Sequence, residues 1–163
     1  MTVYLLDANV FIEAARRYYA FDLAPKFWDE LSRLADAGQI RSIDRVEHEL
    51  ERGNDQLAEW VTTGSFPAFA STDEPQIIQS FAQIMRWVQG QPQFLSAAKT
   101  QFADDVDGWL IAYARVKGSV VVTHEVFAPD ARRKVPIPNV CRPFDVAFVD
   151  TFEMMRQLGI RLA

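Results

Sequence analysis

Residues 119–123, Ser-Val-Val-Val-Thr, form an uncharged, β-branched run directly after a glycine. Such a run suits a strand buried on both faces, as in a parallel sheet covered by helices. The segment before it, "DDVDGWLIAYARVKG" (104–118), predicts a helix with acids in its first turn and Gly118 as its stop. A helix feeding a fully buried strand is the repeating unit of α/β domains.

The rest of the chain keeps that alternation. Residues 2–6 read as a short apolar strand, and "NVFIEAARRYY" (9–19) as a helix or helical turn with Asn9 as a candidate N-cap. Pro25 suits a first helical position, Phe27, Leu31, Leu34 and Ala35 recur at helical spacing, and Gly38 ends the segment. "QIRSI" (39–43) predicts a strand, and helices are expected at 44–53, 55–64, 74–90 and 145–159. Residues 67–75 read as extended, 92–103 as a loop with a short helix, and the proline-punctuated 134–141 as extended near a sheet edge. The expected architecture is a single α/β domain over 1–163, with a short parallel sheet flanked by helices.

Composition narrows the function classes. A content of 49% apolar and 24% charged residues fits a globular domain, and the longest apolar runs are too short to span a membrane. The first apolar run stops at Asp7, which argues against a secretory leader. One cysteine, Cys141, cannot form an internal disulfide, so a cytoplasmic setting is expected; with only two histidines, a zinc site is not. A net charge of −5 disfavours a broad phosphate-binding surface but suits acids gathered around a hard divalent cation.

Asp7 is the least easily explained acid. It ends an apolar strand, where an ionised carboxylate is costly to bury, although it would also serve as an N-cap. Ligands in parallel α/β sheets bind beyond the carboxyl ends of the strands. That edge also collects Glu125 after "VVVT", the acids Asp104, Asp105 and Asp107, and Glu47 and Glu49 after "QIRSI". Each has a structural alternative. Asp104 as N-cap with Asp107 at the third position would stabilise a helix end, and Glu125 would suit an exposed turn. Asp107 nevertheless heads the buried stripe of Leu110, Ile111 and Ala114, with Gly108 beside it leaving room for close approach. Asp44 and Glu47 have capping-box spacing, which leaves Glu49 freer. Clustered carboxylates repel; Mg²⁺ or Mn²⁺ relieves the repulsion and can activate a water against a phosphate.

The motifs "YLLDANVFI" (4–12), "VEHEL" (46–50) and "DGWLIAYARVKGSVVVTHEVF" (107–127), in this order, resemble the PIN-domain nucleases, and within them the VapC-like bacterial toxins. "KVPIPNVCRPFDV" (134–146) resembles a PIN-like subfamily long catalogued as a domain of unknown function. The resemblance implies a PIN-like three-layer fold and a Mg²⁺- or Mn²⁺-dependent endoribonuclease. Asp7, Glu49, Asp107 and Glu125 would be its catalytic metal ligands, Asp104 a substitute ligand, and Asn9 and Thr123 supports. Glu125 stands where Asp is commoner, and His124 beside it reads as a packing or surface residue. The resemblance also implies a cognate antitoxin, commonly DNA-binding, and often a homodimer. Arg16, Arg17, Arg132, Arg133 and Lys134 are candidate RNA contacts, with Tyr18 and Tyr19 beside the first pair; a solvated surface is the alternative. Two other functions are compatible with parts of this sequence. A PIN-like binding module acting only through a partner is motivated by Glu125. A phosphatase using an aspartyl nucleophile would need a second acid where Asn9 stands.

Overall fold

Leu5 and Leu6 are fully buried at the centre of the molecule, because the strand that carries them is paired on both edges. In the computed structural model, which describes residues 1–163, strand β1 (Tyr4–Leu6) lies between β2 (Ile40–Ile43) and β4 (Val120–Val122). Outside these lie β3 (Phe69–Ala70) and β5 (Phe148–Val149), giving the order β3-β2-β1-β4-β5 with every pairing parallel. Full burial of each such leucine contributes roughly 1.5–3 kcal/mol, which explains the unbroken apolar runs in so short a sheet.

The helices are α1 (Ala8–Glu13), α2 (Pro25–Asp36), α3 (Asp44–Glu51), α4 (Gln56–Thr62), α5 (Pro75–Gln89), α6 (Ser96–Asp104), α7 (Asp107–Lys117), α8 (Ile137–Cys141) and α9 (Thr151–Gln157). A π-helical turn, Ala14–Tyr18, continues α1. No helix is long and apolar enough to cross a membrane. Gly118 ends α7 in the left-handed region, at φ 71°, where a side chain would be strained.

The pairing register decides where the site lies. Tyr4 stands opposite Ile40 and Val120, Leu6 opposite Val122, and Val122 opposite Val149. The strands therefore end together, and Asp7, Asp44, Thr123 and Asp150 follow them along one edge.

Several sequence expectations need correction. Helix α7 starts at Asp107, not Asp104: Asp104 closes α6, and Val106 occupies the N-cap position. The expected capping box of Asp44 and Glu47 does not form. Ile43 is at the N-cap, and the Asp44 carboxylate instead accepts from the backbone N–H and hydroxyl of Thr72, at 3.1 and 2.9 Å. Residues 137–141 are helical rather than extended, since Pro138 sits in the first turn, where its missing N–H costs nothing. The last segment divides into β5 and a shorter helix started by Asp150, whose carboxylate accepts from the Glu153 N–H. The two-residue strands β3 and β5 are too short to show alternation in a sequence.

Candidate functional site

Asp7 leaves β1 with an extended backbone and is 1% exposed. Its N–H donates to the Val122 carbonyl at 3.0 Å, so the β1–β4 register fixes where its carboxylate starts. The Thr123 hydroxyl donates to Asp7 Oδ2 at 3.1 Å and accepts from the Glu125 N–H, also at 3.1 Å. One buried hydroxyl thus joins the ends of β1 and β4. Asp7 occupies the N-cap position of α1 without a side-chain capping bond; the N–H groups of Ala8 and Asn9 only draw its carboxyl down part of the way. Asn9 acts through that backbone group, while its side chain is exposed and bonds to nothing in the chain.

Asp107 is the first residue of α7 and is 8% exposed. Burial, then the charges of Asp7, Asp105 and Glu125, push its carboxyl up to about 9, against a pull downward from Lys134. Burial and the neighbouring Glu125 push Asp7 up to about 7. Glu125 acts on both acids and Asp7 acts on Asp107, and a neighbouring like charge in a desolvated site favours the protonated form.

Glu49, on α3, is half-buried and raised by burial and then by Asp105, with Arg52 lowering it. Asp105 therefore links Glu49 to Asp107. It is Asp105, not the proposed substitute Asp104, that does so; Asp104 is exposed and is not among the charges acting on Asp7 or Asp107. Asp105 also lines all three recesses along this edge, of about 280, 610 and 810 Å³. The misplaced helix start hid it: as a second-position helix acid it looked like one of three equivalent dipole partners.

Glu125 differs from the others. Its Oε1 accepts from the Ile137 N–H at 3.0 Å, and its Oε2 pairs with Lys134 Nζ at 3.3 Å. Lys134 and Arg133 line the smallest recess together with Asp105 and Asp107. Arg132 is exposed and gives its carbonyl to the Leu95 N–H. Arg16 and Arg17 lie exposed on the π-helical turn, Arg17 paired with Glu13, and they line none of the three recesses. Tyr19 packs inward, stacked on Phe27, and His124 packs between Tyr18 and Phe152 with Nε2 3.1 Å from the Thr151 hydroxyl.

The donor set is all oxygen, buried and mutually repelling, which fits a hard divalent cation. No three of these acids yet close on one point at metal-binding distances. Asp107 feels Asp7, Asp105 and Glu125, Asp7 feels Glu125, and Glu49 joins them through Asp105.

The family model described as "Domain of unknown function (DUF4411)" matches residues 4–162. The chain belongs to that family. No curated protein sequence matches it. Among solved structures, this DUF4411 chain is similar to one in the crystal structure of VapBC2 from Rickettsia felis bound to a DNA fragment from their promoter. The TM-score is 0.58 at 14% identity, covering 91% of this chain and 98% of that one. It is also similar to a chain of FitAcB from Neisseria gonorrhoeae, with a TM-score of 0.49, 20% identity, and 90% and 96% covered. The likeness to VapBC2 is one of fold: the DUF4411 chain has the PIN-like three-layer α/β fold.

Proposed function

We propose that this protein is a metal-dependent endoribonuclease and the toxin of a bacterial toxin–antitoxin pair, working in the cytoplasm. The observation that carries the reading is the row Asp7–Thr123–Glu125 with Asp107 beside it. Three elements, β1, β4 and α7, bring these residues to the carboxyl edge of a parallel sheet, the place where such sheets bind ligands. Asp7 and Asp107 would hold Mg²⁺ or Mn²⁺, with Glu49 and Asp105 completing the acidic wall. When bound, the ion supplies Lewis-acid activation of a water and neutralises charge on the phosphodiester. Thr123 holds the Asp7 carboxylate in one orientation, and burial of both aspartates keeps bulk water from screening them. Lys134 offers a cation at the same recess, kept there by Glu125.

The partners proposed are RNA as substrate, a DNA-binding antitoxin that covers the cleft, and a second copy of the chain. The shared fold with VapBC2, a structure bound to promoter DNA, supports the antitoxin assignment. The test is cleavage of RNA by the purified protein in Mn²⁺, with Asp7→Asn expected to abolish it while leaving the circular dichroism spectrum unchanged. Full activity of that variant, or of the wild type in excess chelator, overturns the metal mechanism.

A second reading, a non-catalytic module acting through its partner, is favoured by one observation: both Glu125 oxygens are already engaged. Calorimetry separates the two, because that reading requires no Mn²⁺ binding up to millimolar metal.

A further inference from the structure

The largest recess at the site edge, about 810 Å³, lies between α3 and the end of α6 and shares Asp105 with the acidic row. Its volume falls within the roughly 300–1,000 Å³ of sites that hold ligands of nucleotide size. Arg45, Glu49 and Arg52 recur along α3 at intervals of four and three residues, so they share one face, and the two arginines line this recess. None of the ion pairs in the chain involves Arg45 or Arg52. Asp104 and Asp105 face them from the α6 side, and Glu51 adds a third acid. One wall thus carries unpaired guanidinium groups, and the other continues the acidic row.

Arg45 is held in a specific pose. Its Nε donates to the hydroxyl of buried Thr72 at 3.2 Å, and Thr72 in turn is bound by the Asp44 carboxylate. Its guanidinium carbon lies 3.9 Å from the centroid of the Trp109 ring. Trp109 is itself stacked on Phe81 at 3.8 Å with the rings 6° from parallel. A planar cation is therefore laid on a two-ring base, while Arg45 as a whole remains exposed and borders the recess. A guanidinium presented in this way stacks a nucleobase on its outer face and gives its remaining N–H groups to a phosphate.

We propose that this recess binds one unpaired nucleotide of the RNA. The base would lie over Arg45, supported by Trp109, the adjoining phosphate would meet Arg52, and the strand would continue past Asp105 to Asp7 and Asp107. This rests on the ribonuclease reading and adds to it a binding subsite and a requirement for single-stranded substrate.

The test uses the Asp7→Asn chain, expected to bind without cleaving, and fluorescence anisotropy with a single-stranded RNA pool of degenerate sequence. Arg45→Ala, added to that background, is expected to weaken binding about tenfold, the usual cost of losing one base-stacking contact, and Arg52→Ala to weaken it several-fold through loss of a phosphate contact. Arg45→Lys keeps the charge and loses the plane, so it recovers less than half of the loss. Arg33→Ala, which removes a surface arginine already paired with Glu30 on α2, leaves binding unchanged. An RNA made abasic throughout binds the Asp7→Asn chain weakly and loses less with Arg45→Ala than the base-bearing pool does. Melting temperatures of all variants are compared, so that a folding defect is recognised.

Binding unchanged by both arginine variants, or a full recovery with Arg45→Lys, overturns the subsite, as does the absence of any binding to single-stranded RNA. Cleavage by the wild-type chain is scored separately. If it cleaves and the arginines do not matter, the ribonuclease reading stands and the subsite falls. If RNA binds through Arg45 and nothing is cleaved, the subsite stands without the enzyme.

Discussion

The Thr123 hydroxyl donates to Asp7 Oδ2 at 3.1 Å across the β1–β4 pair while accepting from the Glu125 N–H. Both residues are 1% exposed, so no water replaces that bond if it is lost. Thr123→Val keeps the shape and removes the donor. Supporting hydrogen bonds of this kind typically carry about 10–100-fold in metal affinity or activity. Thr123→Val is therefore expected to lower both Mn²⁺ affinity and RNA cleavage within that range, and Thr123→Ser to restore most of each. Calorimetry and initial cleavage rates on the two variants check this.

Asp107 also makes stability depend on pH. Its carboxyl titrates near 3.8 in an unfolded chain and near 9 in the folded one. Between those values the folded state binds more protons than the unfolded state, so stability falls as pH rises through the window. Asp7 adds the same sign up to about 7. In chelator, the melting temperature is expected to fall from pH 5 toward pH 9. Asp107→Asn should melt higher than the wild type at pH 8, by about 3 °C or more, the effect of roughly 1 kcal/mol in a chain of this size. Mn²⁺ should reverse that order, raising the wild-type midpoint and leaving the variant in place. Scanning calorimetry across pH, with and without Mn²⁺, reads each outcome.

The central sheet and the burial of Asp7 and Asp107 at its edge were legible because each acid sits against a strong local signal: "YLL" before one, the Leu110–Ile111–Ala114 stripe after the other. Asp105 was not, since its place depends on α6 ending at Asp104 and on Glu49 of α3 approaching from 56 residues earlier, which no local pattern encodes. The same holds for Arg45. Its place on Trp109 joins the first turn of α3 to the first turn of α7, and its pose depends on Thr72, which only the short β3 pairing brings to Asp44. Glu125 shows the opposite case. Its longer arm is visible in the sequence, but its partners, Lys134 and the Ile137 N–H, lie at the entry to a helical turn that the proline-punctuated sequence disguises as extended.

Gly108 lies where α7 presses on α5. A Cβ there would meet Met85 Cε at 2.5 Å and Phe81 Cε2 at 3.1 Å. The close approach the sequence suggested is thus helix packing, and Phe81 is the ring that carries Trp109. Gly108→Ala is expected to be tolerated in part, because the Met85 tip can move. Gly108→Val should destabilise the fold by about 1–3 kcal/mol, the usual range for overpacking. Urea unfolding measures the difference, and equal midpoints for the two variants would contradict the packing account.

Lys134 is the cation paired with Glu125 at the edge of the acidic row. Its Nζ lies 3.3 Å from Glu125 Oε2, and it is the only cation drawing the Asp107 carboxyl down. With a side chain 60% exposed it contributes little to stability, so its removal should leave the melting temperature nearly unchanged. Two effects should follow from Lys134→Met. Glu125 loses its counter-charge and adds to the negative field at Asp7 and Asp107, so Mn²⁺ should bind several-fold more tightly. The recess also loses a cation positioned to meet a phosphate, so cleavage should fall about tenfold or more at saturating Mn²⁺. Tighter metal with slower cleavage separates this role from that of a surface charge, which would change neither, and from that of a competitor for the metal site, whose loss would raise both. Glu125→Gln provides the complement: it keeps a side-chain oxygen for the Ile137 N–H and releases Lys134, so it should slow cleavage while weakening Mn²⁺ binding much less than Asp7→Asn does.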